Sequence, residues 1–192
     1  MSNQQNNHSL RIIGGNWRGR KVSFTNNKEI RPTPDRVRET LFNWLTGYLA
    51  DARCLELYAG SGILSLEALS RGAREVILIE KMPTTVSQLK LEFKKLGVPS
   101  HQYQLLNTTA SDWLESNHSE TFDLIFLDPP FDGDELASSL YKIRSTNLLD
   151  SGGLIYIESA NAISIDDLPR GWTLHRQKRA ASVHYCLIRL SE

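Results

Sequence analysis

The 192-residue chain is predicted to fold as a three-layer α/β sandwich whose sheet is mostly parallel and is closed by an antiparallel pair of strands. Three observations lead there. Short apolar runs of strand length alternate with stretches whose apolar residues recur at helical spacing, the pattern that lays helices on both faces of a parallel sheet. One run, Leu55-Glu56-Leu57-Tyr58, passes through the glycine turn Ala59-Gly60-Ser61-Gly62 straight into a helical pattern from Ile63 to Ser70. Another, Leu124-Ile125-Phe126-Leu127, stops at Asp128-Pro129-Pro130-Phe131, because proline brings no N–H to a strand ladder. Ligands of open α/β sheets bind beyond the carboxyl ends of the strands, so both junctions are candidate site elements.

Taken in order, residues 1–9 are polar, with no apolar segment to serve as signal or anchor, and are expected to form a mobile tail. Residues 10–30 are expected to be a basic N-terminal extension. Within it, Arg11 to Phe24 alternates β-like pieces around Gly14-Gly15 and Gly19, which predicts a small hairpin or a strand-loop-strand. Residues 31–192 are expected to form the main domain. Arg31-Pro32 leads to Thr33 as N-cap, Pro34 at the first helical position and Asp35 near the positive helix end. Val37, Leu41, Trp44, Leu45 and Tyr48 share a face, with Arg36 and Arg38 off that face and free to meet anions. Glu75 to Glu80 is a second parallel strand. Pro83 opens a helix with Val86, Leu89, Phe93 and Leu96 inward, ended by Gly97. Tyr103 to Leu106 is a third strand, followed by the polar turn Asn107 to Ser111 and a short helix holding Trp113 and Leu114. Asp132-Gly133-Asp134 is expected as a loop, Leu136, Leu140 and Ile143 as a helix face, and Gly152-Gly153 as a turn into the strand Leu154 to Glu158. Trp172 to Lys178 and Val183 to Leu190 alternate as the closing antiparallel pair.

Composition narrows the function classes. At 40% hydrophobic the chain can bury a full core, and no apolar run is long enough to span a membrane. Cys54 and Cys186 each sit inside a strand pattern without metal spacing, as expected of buried thiols in a cytoplasmic protein. His8, His101, His118, His175 and His184 show no ligand spacing either, so no metal is expected; separately, the chain is expected to be a monomer. The formal net charge is zero, yet residues 1–40 carry +5 and the rest −5. A basic arm on an acidic body suits phosphate contacts; a merely solvated basic face is the alternative.

Two candidate sites emerge from the residues themselves. Strand, glycine turn and helix bring exposed N–H groups against a ligand. Gly60 and Gly62 lack the third glycine of the dinucleotide fingerprint, since position 65 is Ser65, which disfavours a nicotinamide oxidoreductase. Glu80, closing the next strand, is placed to accept two ribose hydroxyls. The turn Asn107 to Ala110 lies at the same sheet edge, either touching an adenine or only capping its helix. Asp128-Pro129-Pro130-Phe131 combines an acceptor carboxylate, a carbonyl before a stiff Pro-Pro step and an aromatic face. Those parts suit a planar base with an exocyclic amine: the acceptors take its two N–H protons and Phe131 stacks on the ring. A strand simply ended by a turn is the bland alternative.

From about Arg11 to Leu190 the chain resembles the RsmD family, S-adenosylmethionine-dependent methyltransferases acting on N2 of a guanine in 16S ribosomal RNA. The resemblance rests on Arg11-Ile12-Ile13-Gly14-Gly15-x-Trp17-Arg18-Gly19-Arg20, on Arg31-Pro32-Thr33 with Asp35-Arg36-Val37-Arg38-Glu39-Thr40-Leu41-Phe42-Asn43, on Ala59-Gly60-Ser61-Gly62 with Leu66 to Ala73, and on the Asp128 tetrad. It implies a Rossmann-like class I methyltransferase fold with a mostly parallel seven-stranded sheet, a C-terminal antiparallel hairpin and a small N-terminal β-hairpin extension. It also implies that Glu56, Ala59, Gly60, Ser61 and Gly62 meet the methionine end of the cofactor, Glu80 the ribose, and Asn107, Thr109 and Ala110 the adenine side. Asp128, Pro129, Pro130 and Phe131 would hold the target guanine. Arg11, Trp17, Arg18, Arg20, Lys21, Arg31, Arg36 and Arg38 are the expected RNA contacts, within an assembled or partly assembled 30S subunit. Family members often carry aspartate and phenylalanine where this chain has Glu56 and Tyr58, which implies a slightly reshaped loop. An adenine-N6 methyltransferase on DNA or RNA would share the tetrad; a ribosome-assembly factor that binds without turnover is the non-enzymatic alternative.

Overall fold

The computed structural model of the chain describes residues 7–25, 33–116, 119–131 and 134–191. Arg31, the expected boundary between residues 30 and 31, the Asp132-Gly133 turn and His118 lie outside the described residues. The main sheet has seven strands: β3 (Arg53–Glu56), β4 (Glu75–Glu80), β5 (Tyr103–Asn107), β6 (Phe122–Leu127), β7 (Leu149–Ser159), β8 (Trp172–Ala180) and β9 (Val183–Leu190). Its order is β5-β4-β3-β6-β7-β9-β8. The first five pair in parallel, and β9 runs antiparallel to both β7 and β8.

Alternation along the central strands divides the core in two. Leu124, Phe126, Leu154 and Tyr156 face one side, packed with Val37 and Leu41 of α1 (Asp35–Trp44), Leu66 of α2 (Ile63–Ser70) and Phe93 of α3 (Pro83–Leu96). Ile125, Leu127, Ile155 and Ile157 face the other, with Trp113 of α4 (Ala110–Glu115) and Leu140 and Ile143 of α5 (Glu135–Ser145). Period-two strands buried on both faces produce this helix–sheet–helix sandwich.

The chain order reverses between β3 and β6, which pair with each other although far apart in sequence. This topological switch point is where an α/β sheet opens a crevice. Glu56 ends β3 and Leu127 ends β6, so the glycine turn and the Asp128 tetrad emerge side by side.

β1 (Asn7–Arg11) and β2 (Lys21–Thr25) form the expected hairpin, antiparallel from Asn7↔Thr25 to Arg11↔Lys21. Strand pairing thus begins inside the stretch expected to be a tail. The hairpin docks onto the helical layer rather than hanging free: the Ser23 N–H donates to Glu92 on α3 at 3.0 Å, and the Trp17 N–H donates to the Ser70 hydroxyl at 2.9 Å. Gly15 makes this docking possible. Its φ is +72°, and a Cβ there would stand 1.8 Å from the Ser70 carbonyl oxygen.

Three local expectations are corrected. Thr33 does not cap α1; Pro34 occupies the N-cap position, and the Thr33 hydroxyl reaches Glu158 instead. Tyr48 is 41% exposed, because α1 ends at Trp44 and the helical period stops before it. Gly152 and Gly153 lie within β7, where the ladder with β6 shifts register between Phe122 and Leu124.

Candidate active site

A cavity of about 1020 Å³ opens at the carboxyl edge of the sheet, and its wall includes the glycine turn, Glu80, Thr109, Ala110 and the whole Asp128 to Phe131 tetrad. The two halves expected from separate motifs therefore share one space. On the glycine-turn side, Glu80 is 9% exposed and its carboxylate accepts from the Gly60 N–H at 2.9 Å and the Met82 N–H at 2.8 Å. Each carboxylate oxygen has a second acceptor position, so Glu80 can hold the turn and still accept from a ligand.

Glu56 is buried, with its carboxylate accepting from the Ser65 N–H at 3.1 Å and from the Ser65 hydroxyl. Burial pushes its carboxyl up to about 8, against the Ser65 bonds that pull it down, with the Glu80 charge adding to the rise. Position 65, where the dinucleotide fingerprint has glycine, thus carries a hydroxyl that anchors an acid at the cavity wall. Thr85, on the first turn of α3, is 4% exposed, lines the cavity and has an Oγ1 without a hydrogen-bond partner. Such a buried hydroxyl at the cavity wall is available to a polar ligand atom. It had no sequence signal beyond its place two residues into the helix after Glu80.

Two expected cofactor contacts do not line the cavity. Gly62 is the N-cap of α2 at φ +65°, and a Cβ there would stand 2.6 Å from Leu89 Cδ2; its role is to let the turn pack onto α3. Asn107 is exposed, and its amide donates to the Glu80 and Lys81 carbonyls at 2.9 Å each and so braces the turn that presents Glu80. Thr109 caps α4 by accepting from the Asp112 N–H at 3.1 Å while also lining the cavity.

On the tetrad side, Pro129 is buried and Pro130 exposed, and Phe131 is 38% exposed at the rim. Behind Asp128 lies a polar cluster that the sequence did not announce. Glu158 at the end of β7 is 4% exposed, and its Oε1 accepts from the Thr33 hydroxyl at 2.6 Å and the Tyr156 hydroxyl at 3.0 Å. Burial, then the charges of Glu158 and Asp128, push the Tyr156 phenol well up, which keeps it a donor. Thr33 and Glu158 both line the cavity.

The expected RNA contacts divide sharply. Arg11, Arg18, Lys21 and Arg36 are exposed. Arg20 is exposed but donates to the Lys95 and Leu96 carbonyls at 2.9 Å each, capping the carboxyl end of α3. Trp17 is half-buried against the core. Arg38 is fully buried and is a correction. Its guanidinium pairs with Glu67 at 2.8 Å and Asp35 at 2.5 Å and donates to the Arg11 and Thr33 carbonyls, leaving nothing for a phosphate. Glu67 also accepts from the Ile13 N–H at 2.6 Å, so this ion pair ties the hairpin to α2. Among the described residues, no helix is long and apolar enough to cross a membrane.

The chain is similar, along nearly its whole length, to proteins that methylate ribosomal RNA. The family model described as "Conserved hypothetical protein 95" matches residues 10–189. Ribosomal RNA small subunit methyltransferase D of Haemophilus influenzae is 40% identical over 179 residues, covering 93% of this chain and 92% of the relative. The solved structure of the yhhF protein from Escherichia coli superposes with a TM-score of 0.84 at 38% identity, covering 96% of this chain and 99% of that one. The SMU.776 protein, solved complexed with SAH, shares the fold at 16% identity, with a TM-score of 0.74 over 99% of this chain and 57% of its own. With the matched family model, the identity to a curated relative and the shared topology in agreement, the chain belongs to the RsmD family of small-subunit ribosomal RNA methyltransferases.

Proposed function

We propose that the protein transfers a methyl group from S-adenosylmethionine to the exocyclic N2 amine of a guanine in 16S ribosomal RNA, within an assembled or partly assembled small subunit in the cytoplasm. The observation that carries this reading is the single cavity lined by both the Gly60–Glu80 half and the Asp128–Phe131 half. The cofactor fits the residues present: Glu80 offers acceptors for ribose hydroxyls, Glu56 an acid for the methionine ammonium, and Thr85 an orphaned hydroxyl on the same wall.

When bound, S-adenosylmethionine supplies a methyl group already activated on a sulfonium. What remains for the chain is positioning, which can lower a barrier by about 7–11 kcal/mol. Asp128 and the backbone carbonyl ahead of the Pro129-Pro130 step accept the amine protons, drawing the nitrogen lone pair out of conjugation. No strong base is required, since the amine becomes acidic only once it is alkylated, and Asp128 or water then takes the proton. A target base must leave its stack at a cost of a few kcal/mol. Phe131 at the cavity rim offsets about 1–3 kcal/mol of that by stacking. Arg11, Arg18, Lys21 and Arg36, exposed on the hairpin and α1, supply phosphate contacts. Arg20 marks how far that surface extends: it sits at the carboxyl end of α3, about 20 Å along the helix from the cavity.

The test is methyl transfer from tritiated S-adenosylmethionine to small subunits from a strain lacking the endogenous enzyme, with Asp128→Ala in parallel. Label in N2-methylguanosine that disappears in the variant is the expected result. Label in N6-methyladenosine, or full activity of Asp128→Ala, overturns it.

A further inference from the structure

We propose that Glu158 makes the site select guanine, its carboxylate accepting the N1–H of the target base beside the exocyclic amine held by Asp128. This rests on the guanine-N2 reading above.

The placement follows from strand register. β6 and β7 pair in parallel, Phe126 with Tyr156 and Leu127 with Ile157, so the next residues, Asp128 just past β6 and Glu158 near the end of β7, come side by side. Neighbouring strands lie about 4.8 Å apart. Phe126 and Tyr156 share one face of the sheet, and Asp128 and Glu158, two positions on, continue that face toward the cavity both of them line. Two carboxylates thus face one cavity from neighbouring strands.

Guanine carries such donors, N1–H next to the N2 amine. Adenine presents a bare, accepting N1 beside its amine, which a carboxylate repels. Asp128 alone cannot discriminate, because both bases have an exocyclic N–H₂. A second acceptor fixed next to it can. Glu158 is fixed: the Thr33 and Tyr156 hydroxyls both donate to its Oε1, orienting the carboxylate. Thr33 reaches it from the start of α1, 125 residues earlier, so the segment joining the hairpin to the domain holds the specificity group in place.

The experiment uses 2-aminopurine, which keeps the C2 amine but has a bare N1. Small-subunit particles are reconstituted with guanine or 2-aminopurine at the nucleotide that the wild type labels, and the ratio of kcat/KM for the two is measured. The wild type is expected to prefer guanine. Glu158→Gln, whose amide can still accept from both hydroxyls and can donate to a bare N1, is expected to shrink that preference by about tenfold to a hundredfold. Thr33→Val, which keeps the charge but removes one anchor, is expected to shrink it by about threefold and carries the test if the glutamine variant does not fold. Comparing ratios cancels the intrinsic nucleophilicity of the two amines, and a purely structural loss would lower both rates together. An unchanged ratio in the folded variants, with wild-type label on guanine N2, overturns the role of Glu158 alone. Wild-type label on adenine overturns this inference and the guanine reading together.

Discussion

Glu56 should make cofactor binding depend on pH in the direction opposite to stability. Its carboxyl is pushed up to about 8, chiefly by burial, so at neutral pH the ligand-free protein holds it mostly protonated. A methionine ammonium in the site favours the ionised form. Below the carboxyl's pKa, ionising it costs about 1.36 kcal/mol per pH unit. Affinity should therefore rise about tenfold per unit from pH 6 to about 8 and then level. Stability of the ligand-free protein runs the other way. The folded-state value lies above the unfolded one of about 4.3, so the contribution is fully present below about pH 4.3, declines as pH rises, and is lost above about pH 8. Calorimetric titration with S-adenosylhomocysteine, which retains the ammonium, and urea unfolding across the same range would measure both slopes. Glu56→Gln keeps an acceptor for Ser65 and should flatten each. A wild-type affinity that is flat with pH, or a slope that survives in the glutamine variant, would refute the assignment of Glu56 to the cation.

Other perturbations separate the parts of the site. Glu80→Ala removes the acceptor of the Gly60 and Met82 N–H groups and should weaken cofactor binding by about 1.5–3 kcal/mol for each hydrogen bond to the ligand that it removes, read by calorimetry, with RNA affinity unchanged. Gly62→Ala forces a Cβ into a left-handed turn and against Leu89; about 2–5 kcal/mol of stability should go, from the backbone cost and overpacking together, measured by urea midpoint. Arg38→Met leaves the Glu67 carboxylate buried without its closest cation and should cost about 3–5 kcal/mol, again by unfolding. Replacing Arg11 and Arg18 with Gln should leave stability within about 0.5 kcal/mol yet lower the salt dependence of RNA binding by roughly 0.7–0.9 for each phosphate no longer neutralised; an unchanged slope would remove the hairpin from the RNA interface.

How much of this was legible in the sequence depended on the range of the interactions. Local signals read well: α2 from Ile63 to Ser70, β4 from Glu75 to Glu80, Pro83 opening α3 and Gly97 in a left-handed cap closing it all follow from periodicity and turn chemistry within a few residues. The two strand-end junctions were legible too, because strand ends carry their own punctuation. Side-chain destinations were not. Arg38 lies off the apolar face of α1 and reads as a free cation; its partner Glu67 is 29 residues away on another helix, and only packing of the hairpin against both helices seals the pair from water. Asn107 has the polarity of a ligand contact, yet carbonyls of the neighbouring strand end claim its amide. Thr33 satisfied every local rule for an N-cap and was taken by a carboxylate from the far end of the chain.

One signal was present and unread. β4, β3, β6 and β7 are consecutive in the sheet, and their carboxyl ends carry Glu80, Glu56, Asp128 and Glu158, all four lining the cavity. Four acids at one edge would repel one another, and burial alone would penalise them, unless the occupants of the cavity bring compensating donors and positive charge. A sulfonium cofactor with an ammonium group would do so on the Glu56–Glu80 side, and a base edge rich in N–H would do so on the Asp128–Glu158 side. The same acids disfavour a polyanion at the mouth. RNA would then need an attractive surface elsewhere, and the exposed cations of the hairpin and α1 are the ones that would supply it under the proposed function. On the proposed function, the charge asymmetry between the first forty residues and the remainder is the electrostatic counterpart of a division of labour: an acidic edge to take a cation and an amine, and a basic arm, tied to α2 through Arg38 and Glu67, to bring the nucleic acid to it.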